Sequence, residues 1–162
     1  MKIQAVPLTP DKFGSFGQVL MAEKNAPEFK PWAVKIDNTR PDALGNVTYM
    51  SLEPAHYPVE ITKLEKHPFS HQLFVPLMNT IHLVVVCRSM PDGNPDVASA
   101  IAFHATEGQS VNYNANVWHA PRMVLRKPGS FIMIRWDTRT EDDTRLLSLP
   151  QPLVVTEPNL VQ

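Results

Sequence analysis

A single cysteine, Cys87, stands in the 162 residues, so no disulfide can form within the chain. Its place in an apolar run marks it as a buried strand residue and fits a reducing, cytoplasmic setting. Charge of one sign is equally absent: 15 Lys+Arg face 16 Asp+Glu, for a net charge of -1. That balance leaves no basic field to hold a phosphate backbone, which excludes nucleic acid as the main partner. Long hydrophobic runs are missing too. The longest, Ile81 to Cys87, is broken by His82 and falls far short of the roughly 20 residues that cross a bilayer as a helix. No membrane span is expected, and the first residues, MKIQAVP, do not read as a secretory leader. Glycine is scarce as well, with 6 against 16 prolines. A proline every ten residues or so forbids long helices and favours short strands joined by turns.

What is present agrees with that. A chain of this size with 43% hydrophobic residues can bury roughly 70% of the surface its unfolded form exposes, so it needs neither disulfide nor structural metal for stability. One domain spanning residues 1–162 is expected. Thr9-Pro10-Asp11-Lys12-Phe13 reads as a capped helical turn ended by Gly17. Thereafter β-branched or alternating runs recur, at 46–52, 59–64, 72–75, 81–86, 100–103, 122–126 and 131–136, each bounded by turn residues. Spacing of this kind predicts an all-β sandwich or barrel. Val97-Ala98-Ser99 is expected to turn, and Leu153-Val154-Val155 to add an edge strand before the tail frays.

Two stretches carry the chemistry. In EKHPFSHQLFVPL, Glu65 and His67 are two apart and share one face of a strand, with Gln72 following after four residues. The spacing imitates the His-x-His-x4-Glu metal motif of cupin barrels, Glu65, His67 and Gln72 taking the three ligand places. His119 is the natural fourth group. The competing reading is a set of satisfied polar residues in a barrel interior. In EGQSVNYNANVWHAPRMVL, a hairpin would bring Tyr113 near His119. A phenol, an imidazole and the Glu65 carboxylate converging in this way can exchange protons, which makes His119, Tyr113 and Glu65 the candidate catalytic groups. Alternatively, Tyr113 and Trp118 pack the barrel and His119 only hydrogen-bonds. His71, His82 and His104 are lone strand histidines without a ligand pattern.

At these two stretches the sequence resembles the ureidoglycolate lyase family, whose members carry E-R-H-P-x-x-x-Q-x-F-[IV]-P and, later, G-Q-G-V-N-Y-x-x-x-V-W-H-H-P. Glu65, His67, Pro68, Gln72, Phe74 and Pro76 match the first pattern, with Lys66 in place of Arg. Gly108, Gln109, Val111, Asn112, Tyr113, Val117, Trp118, His119 and Pro121 match the second. The resemblance implies a cupin-like jelly-roll barrel (a double-stranded β-helix) with few short helices, usually a homodimer. It implies cleavage of (S)-ureidoglycolate to glyoxylate and urea in allantoin breakdown, either with a divalent metal such as nickel or with none. A small carboxylate substrate is then the expected partner, with Lys66, Gln72, Asn112 and Trp118 as substrate-binding candidates and Glu65, His67, Gln72 and His119 as the metal set. The pattern is broken at Ser110, Ala115, Ala120 and Arg122, the last in place of an apolar residue, and Arg135-Trp136-Asp137 replaces the family's Asp-Arg. Lost or relocated pocket cations point to an altered substrate, since a planar Arg fork binds a carboxylate in a way that Ala cannot. A different cupin enzyme, an isomerase or metal-dependent hydrolase, and a non-catalytic small-molecule-binding barrel are the alternatives.

Overall fold

Short proline-bounded runs become strands wherever alternate side chains find an apolar layer to enter. The computed structural model describes residues 1–21 and 33–159. In chain order its elements are β1 (Lys2–Gln4), β2 (Val6–Pro7), α1 (Pro10–Phe13), β3 (Gly17–Leu20), β4 (Leu44–Leu52), β5 (Pro54–Ala55), β6 (Val59–Lys66), β7 (Gln72–Leu77), β8 (His82–Ser89), β9 (Pro95–Ala105), β10 (Ser110–Tyr113), β11 (Trp118–His119), β12 (Met123–Leu125), β13 (Gly129–Asp137) and β14 (Arg145–Thr156). A 3-10 turn, Glu141–Asp143, precedes β14. No helix among the described residues is long and apolar enough to cross a membrane.

The strands form two sheets. One runs β1-β14-β6-β11-β8-β12-β5, with β9 also against β8 and β2 against β9. Because residues 2–4 pair with β14 and residues 6–7 with β9, the N-terminal segment joins the two ends of this sheet and nearly closes it into a barrel. Inside lie Val59, Ile61, Leu64, Leu83, Val85, Cys87, Trp118, Leu153 and Val155. The second sheet, β3-β10-β7-β13-β4, packs on the first through Phe13, Phe74, Val84, Val86, Phe103, Val111, Tyr113 and Phe131. Strand β8 is the shared wall: Leu83, Val85 and Cys87 enter the barrel, whereas Val84 and Val86 face the interlayer. This is the jelly-roll, cupin-type barrel that the resemblance implies.

Several local expectations change. Thr9 does cap α1, accepting from Lys12 N at 3.4 Å, but Gly17 opens β3 instead of ending the helix. Val97–Ser99 continues β9, where Ser99 Oγ accepts from Arg88 N (2.9 Å) beside a register shift. Residues 153–155 belong to β14, which lies between β1 and β6 and is no edge. Pro150 and Pro152 are tolerated because the β14–β6 register shifts between Ser148 and Leu153, and a bulge needs no ladder donor there.

Gly17 has φ +152, and a Cβ on it would lie 1.9 Å from the carbonyl oxygen of Asn112, opposite in β10. Gly17→Ala is therefore expected to lower the unfolding free energy by about 2–4 kcal/mol. Urea unfolding of the two proteins measures this, and an unchanged midpoint would refute the close-approach argument.

Candidate active site between the sheets

The site forms where the inward rows of the two sheets meet. In the first sheet, Glu65 in β6 and His119 in β11 are directly paired cross-strand neighbours, so their side chains leave the sheet on one face, toward the second sheet. Two residues on, His67 returns to that face. On the opposing sheet, Gln72 in β7 is paired with Tyr113 in β10 and Arg135 in β13, giving an inward row of phenol, amide and guanidinium. Tyr113 and His119 do meet, with parallel rings 4.2 Å apart. They meet across the interlayer and not in a hairpin, because β10 and β11 belong to different sheets.

His119 is 2% exposed and donates from Nδ1 to the Val117 carbonyl (2.9 Å). That bond leaves Nε2 turned toward Glu65 Oε1 at 3.5 Å, and Nε2 has no hydrogen-bond partner among the described residues. The pair is an ion pair when the imidazole is protonated and a free lone-pair base beside a carboxylate when it is not. Burial alone would raise the Glu65 pKa. The close approach and positive character of His119, with the charges of His67 and Arg135 nearby, outweigh it and hold the carboxyl below its ordinary value.

His67 has the opposite polarity. Its Nδ1 lies 2.7 Å from Arg135 Nη1 and 3.1 Å from Thr144 Oγ1, which can donate to it, and 3.2 Å from the Asp143 carbonyl, which can only accept from it. The guanidinium, the shortest of these contacts, favours an accepting Nδ1 with the proton of the neutral ring on Nε2, whereas the carbonyl suits the other tautomer. Burial first, then the charges of His119 and Arg135, push the His67 pKa down to about 4, which keeps the ring neutral. Arg135 is itself held by Asp137, Nε to Oδ2 at 3.1 Å, and Asn46 Nδ2 donates to the same oxygen at 2.8 Å. Arg135 Nη2 makes no hydrogen bond among the described residues. The pocket thus offers an acceptor at His119 Nε2 and donors at His67 Nε2 and Arg135, within a space whose ligand-type atoms lie inside 4.8 Å of one another.

Those distances would admit a divalent ion on Glu65, His67 and His119, and the Nδ1–H bond of His119 to a carbonyl is what a metal-bound histidine makes. A metal needs a lone pair at His67 Nε2, which the tautomer that donates Nδ1–H to the Asp143 carbonyl (3.2 Å) supplies. Glu65, His67 and His119 thus form a candidate divalent-ion site. Gln72 Oε1 is buried without a partner among the described residues, on the same inward row.

Three expected substrate contacts are not brought to this place. Lys66 and Trp118 neighbour Glu65 and His119 in sequence and therefore leave the sheet on the barrel side. There Lys66 Nζ and Trp118 Nε1 both donate to the Gly93 carbonyl (3.1 Å each), and the ammonium lies 4.9 Å from the indole ring. Asn112 alternates with the inward Val111 and Tyr113 and faces away, donating to the Lys35 carbonyl at 3.0 Å. Conversely, two guanidiniums, the buried Arg122 and the half-buried Arg135, were not among the expected site residues. The in-out alternation of Phe131, Met133 and Arg135 was a readable signal for the second.

Two packed sheets with a histidine- and carboxylate-lined interlayer define a cupin-type barrel of the enzymatic kind. The ureidoglycolate lyase family model matches residues 1–156, and the chain belongs to that family. Ureidoglycolate lyase of Escherichia coli O6:K15:H31 (strain 536) is 30% identical over 159 residues, 93% of this chain and 96% of that protein. Ureidoglycolate lyase of Schizosaccharomyces pombe is 29% identical over 181 residues, 95% of each.

Both His67 and His82, whose pKa burial and Arg122 lower to about 3, bind protons more weakly folded than unfolded. The unfolded state then takes up protons first as pH falls below 6.5, so stability is full above that value and is lost toward pH 4. Each histidine contributes up to about 1.4 kcal/mol per pH unit to that loss. Urea unfolding at pH 7, 6 and 5 measures the slope; a flat profile would contradict the buried neutral rings.

Proposed function

We propose that this protein cleaves (S)-ureidoglycolate to glyoxylate and urea, with the His119–Glu65 pair as its proton-transfer unit. The observation that carries the reading is the unpartnered Nε2 of His119, fixed by its Nδ1–H bond and turned to a carboxylate held ionised, in a chain matched to the ureidoglycolate lyase family over residues 1–156. His119 Nε2 takes the proton of the C2 hydroxyl. The oxygen lone pair closes the carbonyl of glyoxylate as the C–N bond breaks, and the bonding pair leaves with the urea nitrogen. The imidazolium returns its proton to that nitrogen, so no water or redox partner is consumed. Glu65 stabilises the imidazolium while it exists.

The donors have complementary tasks. Arg135 Nη2 is suited to the substrate carboxylate, and His67 Nε2–H, with a neutral ring, to a substrate oxygen. Gln72 adds an amide to the same wall. The reaction so written routes no step through a metal. A reducing, cytoplasmic setting and a homodimer belong to the same proposal; the lone cysteine, buried at Cys87, supports the first.

Turnover of ureidoglycolate, read as glyoxylate release, is expected to persist after dialysis against a strong chelator. His119→Ala should lower kcat by about 10²–10⁴-fold and Glu65→Gln by a smaller factor, with both proteins folded. Absence of glyoxylate and urea from the wild-type protein would sink the reading, and loss of activity on chelation that returns with an added divalent ion would sink its metal-free form. Light scattering on the eluting protein is expected to give twice the mass of one chain.

A further inference from the structure

Arg122 enters the interlayer from the extended segment between β11 and β12, at 8% exposure. Its Cζ lies 4.0 Å from the centre of the Phe74 ring, 5.4 Å from Phe131 and 5.5 Å from Tyr113. No carboxylate among the described residues pairs with it, and its Nε has no hydrogen-bond partner there. An unpaired guanidinium so deep in an apolar layer costs stability. The aromatic faces offset part of that cost. Its position therefore calls for a purpose other than packing.

Its two occupied nitrogens supply one. Nη1 donates to His82 Nδ1 at 3.0 Å, and His82 Nε2 in turn donates to the Gln109 carbonyl at 2.9 Å. Nη2 donates to Tyr113 Oη at 3.0 Å. The planar fork thus spans two strands, β8 through His82 and β10 through Tyr113, and fixes the phenol at its polar end. The other end of the same residue is the flat ring that lies 4.2 Å from His119 at an interplanar angle of 13°. His119 is located in its plane by the bond to Val117 O and on its face by Tyr113 alone among the aromatic stacks of the described residues. A ring clamped in this way holds Nε2 in one direction, and misplacement of a base by a fraction of an ångström is enough to slow proton transfer.

We propose that Arg122 is a positioning residue for His119, acting through Tyr113: its fork bridges His82 and Tyr113 and thereby holds the stacked ring against the base. The proposal rests on the function proposed above for its kinetic consequence, though not for its structural one. Arg122→Met removes the fork while keeping an apolar stem, Arg122→Lys keeps the charge without the fork, and Tyr113→Phe keeps the stack without the hydroxyl.

Two measurements test it on the full-length protein. Proton NMR of the His119 ring, which reads the stack with no substrate present, is expected to show ring-current-shifted signals in the wild type that move toward ordinary positions in Arg122→Met. Steady-state kinetics on ureidoglycolate are expected to show kcat lowered by about tenfold or more in Arg122→Met, with KM within about twofold and no rescue in Arg122→Lys. The double variant Arg122→Met/Tyr113→Phe should be no slower than the slower single variant, because both break one linkage. Unchanged ring signals in folded Arg122→Met overturn the proposal. So does wild-type kcat in Arg122→Lys, or losses that multiply in the double variant. A wild-type protein that does not turn over ureidoglycolate overturns the functional reading instead, and the ring signals then decide the positioning role by themselves.

Discussion

Alternation along a strand is the constraint on which everything else in this protein depends. Strand β8 serves two cores at once, sending Leu83, Val85 and Cys87 into the barrel and Val84 and Val86 into the interlayer. The adjacent strands must keep the same register to share that wall. It follows that Glu65 and His119 face the second sheet while Lys66 and Trp118, one residue along in each case, face the barrel. A one-residue slip in β6 or β11 would exchange the two pairs, placing an ammonium and an indole where the carboxylate and imidazole now meet. The geometry of the candidate site and the hydrophobic packing are therefore specified by the same hydrogen-bond ladder.

Within the interlayer, the arginines set the character of the histidines. Because a guanidinium donates only, Arg135 makes His67 a donor toward the pocket and Arg122 makes His82 a donor toward Gln109. His119 receives no such contact and is instead oriented by a carbonyl, so it alone of the three turns an acceptor into the site. Two imidazoles with ring centres 5.5 Å apart, His67 and His119, thus present unlike faces to a ligand. A substrate with both a hydroxyl to give up and an oxygen to be held suits that asymmetry.

Much of this was legible in the amino-acid order. The strand runs, the all-β architecture and the sharing of a face by Glu65 and His67 follow from period-two patterning and turn residues, and the paired motifs carried the family. What could not be read is equally specific. Pro150 and Pro152 argued for a fraying edge because the bulge that accommodates them is a property of pairing with β6, some eighty residues away. Lys66 looked like a substrate cation because its sign suits a carboxylate, but its side follows from strand phase, not charge. The meeting of Tyr113 with His119 was anticipated for the wrong reason: sequence proximity suggested a hairpin, and the contact arises between sheets. Arg122 was visible only as a break in a motif, with no local pattern to say that it would be buried among Phe74, Phe131 and Tyr113.

The first seven residues join β14 at one end of the barrel sheet to β9 at the other, and Ala5 donates to the Thr156 carbonyl at 2.9 Å. During synthesis, that closing seam has to wait for β14 to leave the ribosome, since Lys2 and its partner Val154 stand about 150 residues apart. β6, which carries Glu65, is likewise short of one neighbour until β14 arrives. A nascent chain stopped before that point has an open sheet edge beside its own carboxylate, so the exposed edge and the incomplete site persist together and are resolved by the same strand, β14.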